Sequence, residues 1–163
     1  MTDTSLLDGV DTSTPIGSCL SAWHQLFLGQ SDALDHVLAD DVVLHSPVLF
    51  RPIVGKEIVS LYLTGAYMTF VAGATTDEAP AATGGDTWDG SFRYVRVVTG
   101  ERDAVLEFET TMAGKYVNGV DMITCDDDGR IVDFKVMVRP QQALEAVRAQ
   151  MAAALETLQP GDA

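Results

Sequence analysis

Asp121 is the side chain in this sequence that is best placed to do chemistry, because it is the lone carboxylate of an apolar segment. That segment, Val117–Thr124, has the composition of a strand and precedes an acidic turn signal at Asp126–Arg130. Alternate side chains of a strand share a face, so Gly119, Asp121 and Ile123 point to the same side. In a dry environment the pKa of a carboxyl group rises, and the neutral acid can donate a hydrogen bond or a proton to a carbonyl oxygen. The segment therefore predicts an acid that points into a core or a cavity.

The hydrogen-bond partner of Asp121 decides whether it acts on a ligand or only stabilises the fold. In the structural alternative, Asp121 accepts a hydrogen bond from Tyr62, Trp23 or a backbone amide and has no other role. Tyr62 can donate its hydroxyl into a cavity beside Asp121, or it can be a core aromatic residue whose hydroxyl reaches the rim. The sequence leaves both questions open.

The composition is that of one soluble globular domain. The chain has 163 residues, of which 47% are hydrophobic and 21% are charged, and this length is enough for one core. Its formal net charge of −14 argues against nucleic acid and anionic membranes as partners. No apolar run approaches the roughly 20 residues of a membrane span, and no signal peptide precedes Cys19 and Cys125. These features predict a cytoplasmic protein with reduced cysteines.

The sequence contains no recognisable metal or cofactor motif. His24, His36 and His45 lack the spacing of a metal site, and neither cysteine belongs to a Cys-x-x-Cys pair. The acidic stretch at residues 126–129 does not continue into a calcium-binding loop, so a hairpin turn is the simpler interpretation. Neither a glycine-rich phosphate loop nor a Gly-x-Ser-x-Gly motif is present. We therefore expect no metal and no cofactor.

The apolar periodicity divides the chain into helices followed by strands. Residues 1–13 are polar and acidic and predict a disordered tail, and Thr14-Pro15 then opens an amphipathic helix that ends near Gly29. The remaining predicted elements are a helix over 31–38, a strand over 42–46, a helix after Gly55 with Ile58, Val59, Leu61 and Tyr62 on its inner face, a loop over 72–85 that is a candidate lid, strands over 88–98, 104–113, 115–125 and 131–139, and an amphipathic helix over 141–159.

This order of elements predicts an α+β fold. Helices that pack on one face of a strongly curved antiparallel sheet form a cone, and residues 14–140 would make up this domain. A cone of this kind usually keeps an apolar cavity at its open end, lined by the inward side chains of the strands. The closing helix over 141–159 would either cover the mouth of the cone or pack on a second subunit.

Two segments resemble the NTF2-like superfamily, in particular its ketosteroid-isomerase-like and SnoaL-like branches. The first is Gly29–Gly55, which contains the run Leu38-Ala39-Asp40-Asp41-Val42 and the later Pro47-Val48. The second is Phe108–Val138, in which Asp121 is followed by the acidic turn and by Gly129-Arg130-Ile131. The resemblance implies the cone fold, a pocket for a small hydrophobic molecule and a homodimer formed through the outer face of the sheet.

The resemblance carries over only part of the isomerase machinery. Ketosteroid isomerases use an Asp as the general base, with a Tyr and a protonated Asp in the oxyanion hole. Asp121 matches the oxyanion-hole Asp, but the base position is occupied by Ser46 and the Tyr position by Ala22, next to Trp23. Because Ser46 has no useful basicity near neutral pH, we do not expect steroid double-bond isomerisation by that mechanism.

His45 is the natural substitute for the missing base, since the pKa of imidazole lies near neutrality. If Ser46 points inward, strict alternation sends His45 to the other face together with Val43. A bulge near Pro47 would instead turn His45 into the pocket. The proton acceptor in an enzymatic reaction would be His45, or Ser46 acting through a water molecule.

The pocket predicted from the resemblance is apolar. Its expected ligand-binding residues are Trp23, Phe108, Ile123, Phe134, Val136 and Val138. The sequence thus indicates a protein that binds a small apolar carbonyl compound, and as an enzyme it would be a cofactor-free isomerase, cyclase or dehydratase with Asp121 as the acid and Tyr62 as a second donor. The alternative is a non-catalytic ligand-binding or dimerisation module in which Asp121 is structural. Epoxide hydrolysis ranks last, because Asp121 lacks the neighbouring Arg of an Arg-x-Asp pair.

Overall fold

A computed structural model describes residues 2–30, 32–73 and 88–158 of the chain. The elements are a short 3-10 turn (Ser5–Leu7), α1 (Pro15–Phe27), α2 (Ala33–Val37), β1 (Leu38–His45), β2 (Ile53–Val54), α3 (Lys56–Ala66) with a π-helical extension (Tyr67–Ala72), β3 (Arg93–Thr99), β4 (Asp103–Met112), β5 (Lys115–Cys125), β6 (Ile131–Arg139) and α4 (Gln141–Leu158). The predicted loop over 72–85 lies almost entirely outside the described residues.

The strands form one curved sheet in the order β2-β1-β6-β5-β4-β3. β1 and β6 run parallel, and the other neighbouring strands run antiparallel. Helices α1 and α3 cover the concave face, so the predicted α+β cone is confirmed. The parallel pairing is a difference from the all-antiparallel sheet that we predicted, and it arises because the chain crosses from β1 to the far edge before it returns to β6.

Helix α1 begins where the sequence predicts. The Thr14 hydroxyl oxygen accepts a hydrogen bond from the Gly17 backbone N–H at 3.1 Å, and Pro15 occupies the first helical position. Ile16, Leu20 and the adjacent Trp23 are buried against the sheet. This stripe places Trp23 over the concave face, where the side chains of β5 and β6 also point.

Side chains of β5 alternate between the two faces as predicted. Val117, Gly119, Asp121 and Ile123 are buried on the concave side, whereas Met122 is 38% exposed on the outer side. The neighbouring strand β4 follows the same rule, and its Phe108 lies directly opposite Gly119 in the ladder. Asp121 therefore enters the space between the sheet and the helices.

Residues 2–13 are not the disordered tail that the sequence predicts. The Asp3 N–H donates to the Phe92 carbonyl at 2.9 Å, and the Tyr94 N–H donates to the Asp3 carbonyl at 3.0 Å. Leu7 is only 2% exposed and belongs to the core. The prediction was wrong because it weighed overall polarity, while one buried leucine and the open hydrogen-bonding edge of β3 are enough to fix this segment.

The inner face of α3 also differs from the prediction. Val59 and Leu63 are buried, whereas Ile58 is 39% exposed and Tyr62 is half-buried. The residues around them are apolar on several sides, so periodicity alone left the rotation of the helix undetermined. Residues 88–92 precede β3 as irregular structure rather than extending the strand.

Helix α4 packs on α3 and on β4, β5 and β6 of its own chain. Its buried residues are Ala143, Val147 and Met151. Among residues 2–30, 32–73 and 88–158, none of the helices is long and apolar enough to cross a membrane.

Candidate functional site

A cavity of about 360 Å³ lies between the concave face of the sheet, α1 and the end of α3. Apolar side chains form most of its wall, and eight of the described lining residues are aromatic. The described lining residues are Trp23, Leu26, Phe27, Gly29, Gln30, Leu34, Leu63, Thr64, Ala66, Tyr67, Phe70, Val71, Phe92, Tyr94, Phe108, Asp121, Phe134 and Val136. The cavity is therefore an aromatic chamber with very few polar groups.

Asp121 is the only carboxylate among these described lining residues. It is 7% exposed, and burial away from water raises the pKa of its carboxyl group to about 7. A hydrogen bond from Tyr94 lowers the pKa of Asp121 in part, but burial is the larger effect. Asp121 therefore exchanges its proton near neutral pH, unlike an exposed aspartate.

Tyr94 links Asp121 to Trp23 in a short hydrogen-bond chain. The Trp23 indole N–H donates to the Tyr94 hydroxyl oxygen at 3.0 Å, and the Tyr94 hydroxyl donates to Oδ2 of Asp121 at 3.2 Å. Because an indole nitrogen is a donor only, the direction of the chain is fixed from Trp23 to Asp121. Burial and the nearby Asp121 carboxyl hold the pKa of Tyr94 well above 10, so its phenol stays protonated.

This direction determines what Asp121 offers to the cavity. Its Oδ2 accepts the single phenol proton of Tyr94, so the proton of the neutral acid belongs on Oδ1. A neutral Asp121 can then donate one hydrogen bond to an acceptor in the cavity. Tyr94 has no second proton to give, and it therefore acts through Asp121 rather than on a ligand directly.

Ring packing keeps the cavity walls apart. Phe92 stacks on Phe27 with 5.6 Å between ring centroids and on Phe108 with 5.4 Å. Trp23 packs on Phe134 with 5.1 Å between ring centroids. Aromatic pairs at these separations are favourable beyond the area that they bury. The aromatic rings of the wall thus support one another through their mutual contacts.

The structure corrects the predicted partner of Asp121. Tyr62 does not line the cavity and makes no hydrogen bond to Asp121; the donor is Tyr94. In the sequence, Tyr94 alternates with Trp88 and Phe92, a pattern that favours a core or an interface over a pocket. A bulge in β3 between Tyr94 and Arg96 sets the position of Tyr94, and this irregularity is not visible in the sequence.

Neither predicted proton acceptor lies in the cavity. His45 Nε2 is 2.9 Å from Oδ2 of Asp133 on the outer face of the sheet, as strict alternation requires. The Ser46 hydroxyl oxygen accepts a hydrogen bond from the Val48 N–H at 3.3 Å within the turn after β1. The interpretation of His45 or Ser46 as a base acting in the pocket is therefore wrong for this structure.

The predicted ligand-binding residues divide into two groups. Trp23, Phe108, Phe134 and Val136 line the cavity. Ile123 is 1% exposed in the core below it, and Val138 packs on the core without reaching the cavity. The prediction missed a different set, formed by Phe27, Phe70, Phe92, Tyr94 and Tyr67, because these come from helix ends and from the edge strand.

Solved structures similar to this chain share its arrangement of helices on a curved sheet. A steroid delta-isomerase from Pseudomonas aeruginosa is 32% identical over 88% of this chain and 93% of that chain, with a TM-score of 0.73. An uncharacterized bacterial protein with a cystatin-like fold from Silicibacter pomeroyi is 27% identical over 79% of this chain and 78% of that chain, with a TM-score of 0.63. An NTF2-like protein of unknown function from Mesorhizobium loti is 18% identical over 80% of this chain and 95% of that chain, with a TM-score of 0.58. No protein-family model matches the sequence, and no curated protein matches it.

Proposed function

The chain belongs to the NTF2-like superfamily, and we propose that its cavity binds a small apolar carbonyl compound whose oxygen accepts a hydrogen bond from Asp121. The single observation that carries this proposal is one acid among the described lining residues, with a pKa of about 7, in a mostly apolar chamber. A similar protein that is 32% identical is a steroid delta-isomerase, which supports a small apolar molecule as the ligand class.

The size and the wall of the cavity support a flat apolar ligand. A volume of about 360 Å³ lies within the usual range for pockets that hold small molecules. The stacked pair Phe27 and Phe92 and the tilted pair Trp23 and Phe134 present ring surfaces to the interior. A ligand that buries rings or aliphatic carbons against them gains affinity in proportion to the apolar area removed from water.

Asp121 supports an acceptor atom on the ligand rather than a charged group. A neutral carboxylic acid donates one strong hydrogen bond, and a carbonyl oxygen accepts it without the desolvation cost of an ion. A carboxylate ligand would carry a full charge into this apolar chamber and would therefore add the desolvation cost of an ion. The ligand is therefore an uncharged carbonyl compound.

We propose in addition that the site is catalytic. With a pKa of about 7, Asp121 can act both as an acid and as a base near neutral pH. No histidine and no other carboxylate stands among the described lining residues, so a proton taken from carbon must go to Asp121 itself or to water. This favours reactions in which a single acid acts on the carbonyl oxygen, such as cofactor-free isomerisation, cyclisation or dehydration.

The competing proposal is a non-catalytic module with a collapsed cavity and a structural Asp121. In such a module, Trp23, Phe108 and Phe134 would fill the space between the sheet and the helices. These three rings stand on the wall of a cavity of about 360 Å³ instead of filling it, which favours the ligand-binding proposal.

A homodimer formed through the outer face of the sheet remains part of the proposal. That face exposes apolar side chains, with Val98 at 55%, Met137 at 53% and Met122 at 38%. The same face carries charges of both signs, among them the ion pair of Arg96 and Glu107, so opposite charges are available to pair with a second copy although the chain carries a net charge of −14. Light scattering of the parent and of Met137→Glu tests this: a dimer that becomes a monomer supports it, and a monomeric parent contradicts it.

The ligand proposal is tested with a matched pair of probes, fluorenone and fluorene, which differ by one carbonyl oxygen. We expect fluorenone to raise the melting temperature and to bind at least tenfold more tightly at pH 5.5 than at pH 8.5, because ionised Asp121 cannot donate. Fluorene should show no such dependence on pH. In Asp121→Leu, the preference for the ketone should disappear. Equal binding of both probes by the parent at both pH values would contradict the role of Asp121.

The catalytic level has a separate test. We expect the parent to accelerate the exchange of the α-protons of 2-tetralone for deuterium in heavy water, and Asp121→Asn to lose this acceleration. Binding of fluorenone without any exchange of 2-tetralone would limit the function to ligand binding.

A further inference from the structure

The first residues of the chain contact the strand that carries Tyr94. β3 is an edge strand of the described sheet, and the backbone of Asp3 pairs with it on the side where the described residues form no other strand. The Asp3 N–H donates to the Phe92 carbonyl at 2.9 Å, and the Asp3 carbonyl accepts from the Tyr94 N–H at 3.0 Å. Phe92 and Tyr94 both line the cavity. This backbone pairing therefore holds two cavity residues from behind, Phe92 just before β3 and Tyr94 within it.

The same segment, residues 2–12, also contacts the helix that carries Trp23, and we call it the N-terminal strap. Leu7 of the strap is 2% exposed and packs in the core. Oδ1 of Asp8 lies 3.4 Å from Nδ1 of His24, the residue that follows Trp23 in α1. His24 is itself 8% exposed, whereas the Asp8 side chain is 69% exposed, so the contact lies where the surface of the strap meets α1.

The end of the strap is fitted tightly to the start of α1. A Cβ atom placed on Gly17 would lie 1.8 Å from the carbonyl oxygen of Asp11, which no side chain could occupy without displacing the strap. The Thr14 hydroxyl donates to that same carbonyl at 3.0 Å. Gly17 is therefore required for the close approach of the strap to the helix.

These contacts bear on the hydrogen bond between Trp23 and Tyr94. The donor stands on α1 and the acceptor on β3, so the 3.0 Å distance depends on how the helix is placed against the edge strand. A hydrogen bond weakens steeply when its angle closes below about 120°, and a contact near 3.6 Å no longer counts as one. The strap contacts both elements. Asp3 pairs with β3, and Leu7, Asp8 and Asp11 lie along the path to α1.

We propose that the N-terminal strap is a positioning element of the site, which holds α1 and β3 at the separation that the chain from Trp23 through Tyr94 to Asp121 requires. The strap touches no ligand and acts only through Trp23 and Tyr94. Its importance for binding rests on the proposed role of Asp121, but its effect on the hydrogen-bond chain exists in the ligand-free protein and can be measured there.

The test is hydrogen exchange of the Trp23 indole N–H, followed by NMR on the ligand-free full chain. The chain has two tryptophans, so only two indole signals have to be assigned. Two variants disturb the strap at separate points: Gly17→Ala at its contact with α1 and Leu7→Ala in its buried middle. Leu28→Ala is the matched control, because Leu28 follows α1 but is 62% exposed.

We expect the indole exchange of Trp23 to become at least tenfold faster in Gly17→Ala and in Leu7→Ala than in the parent. Backbone amides in the centre of β5 and β6 should keep their protection, and Leu28→Ala should behave as the parent does. Unchanged exchange at Trp23 in both strap variants would overturn the proposal. An increase at Trp23 matched by an equal increase in β5 and β6 would also overturn it, since it would mean a general loss of stability. Because no ligand is present, neither result depends on whether fluorenone binds.

Discussion

The Tyr94 hydroxyl oxygen lies 3.2 Å from Oδ2 of Asp121, and the Trp23 indole on its other side fixes the direction of its proton. This relationship makes Tyr94 a positioning residue and leaves Asp121 as the group that meets a ligand. A phenol that both accepts and donates is also fully satisfied, which explains how it tolerates burial. The consequences of this arrangement can be tested residue by residue.

Tyr94→Phe should raise the pKa of Asp121 above its value of about 7. The Tyr94 hydroxyl stabilises the ionised carboxylate, so its removal favours the neutral acid, provided that the ring still excludes water. Carbon-detected NMR titration of the Asp121 carboxyl measures this. Tyr116→Phe is the control, because Tyr116 bonds to Glu109 on the outer face. A pKa of Asp121 that falls in Tyr94→Phe would contradict the assigned direction of the hydrogen bond.

The stability of Asp121→Asn relative to the parent should increase as the pH rises from 4 to 8. The pKa of Asp121 is raised by folding from 3.8 to about 7, so the neutral acid favours the folded state fully below pH 3.8, and that advantage is lost as the pH rises to 7. A shift of this size corresponds to about 4 kcal/mol, and the gain of the variant over the parent should grow by about that amount between pH 4 and pH 8. Urea unfolding at both pH values measures the difference.

The matched control for this stability prediction is Asp41→Asn, which changes an exposed aspartate of β1. It should alter the unfolding free energy by less than about 0.5 kcal/mol at either pH. A gain for Asp121→Asn that does not depend on pH would mean that Asp121 is ionised in the folded protein throughout this range.

The sequence predicts the fold and the direction of Asp121 well, and both follow from local rules. Alternation along Val117–Thr124 places Asp121 on the concave face, and the turn at residues 126–129 fixes the hairpin that supports it. The strands β5 and β6 begin and end where their patterns predict. These features need only the two-residue period of a strand and a strong turn signal.

The partner of Asp121 was not predictable in the same way. Tyr62 and Tyr94 are equally plausible donors from their residue types, and the choice depends on the rotation of α3 and on the bulge in β3. Both are set by long-range packing, as is the buried position of Leu7 in the strap. Sequence periodicity therefore identifies the acid but not the groups that position it.

Gly119→Ala should destabilise the protein and shrink the cavity. A Cβ atom at this position would lie 2.4 Å from Cζ of Phe108 and 2.8 Å from the backbone oxygen of Met137, so the ring must move toward the cavity. Overpacking of this kind costs about 1–3 kcal/mol, and we expect fluorenone to bind at least tenfold more weakly. Gly100→Ala is the control, since the nearest atom there is 3.7 Å away. Calorimetry and urea unfolding measure the two effects, and unchanged affinity in Gly119→Ala would argue against Phe108 as a cavity wall.

His45→Ala should leave the affinity for fluorenone within twofold of the parent. His45 pairs with Asp133 on the outer face, and the sheet separates it from the cavity. Ser46→Ala should behave in the same way, because the Ser46 hydroxyl serves the turn after β1. The same variants should retain any exchange activity on 2-tetralone. Loss of that activity in either variant would mean that His45 or Ser46 acts as a base in addition to Asp121, which would change the mechanism.

The protonation state of Asp121 is tested most directly by NMR titration of its carboxyl carbon in the ligand-free parent, with Asp121→Asn to assign the signal. We expect a midpoint near pH 7, because a buried carboxyl in an apolar chamber favours its neutral form. A midpoint at about 3.9 or below, the range of an exposed or ion-paired aspartate, would contradict it. Asp121 would then be ionised at neutral pH, and it could not donate a hydrogen bond to a carbonyl ligand.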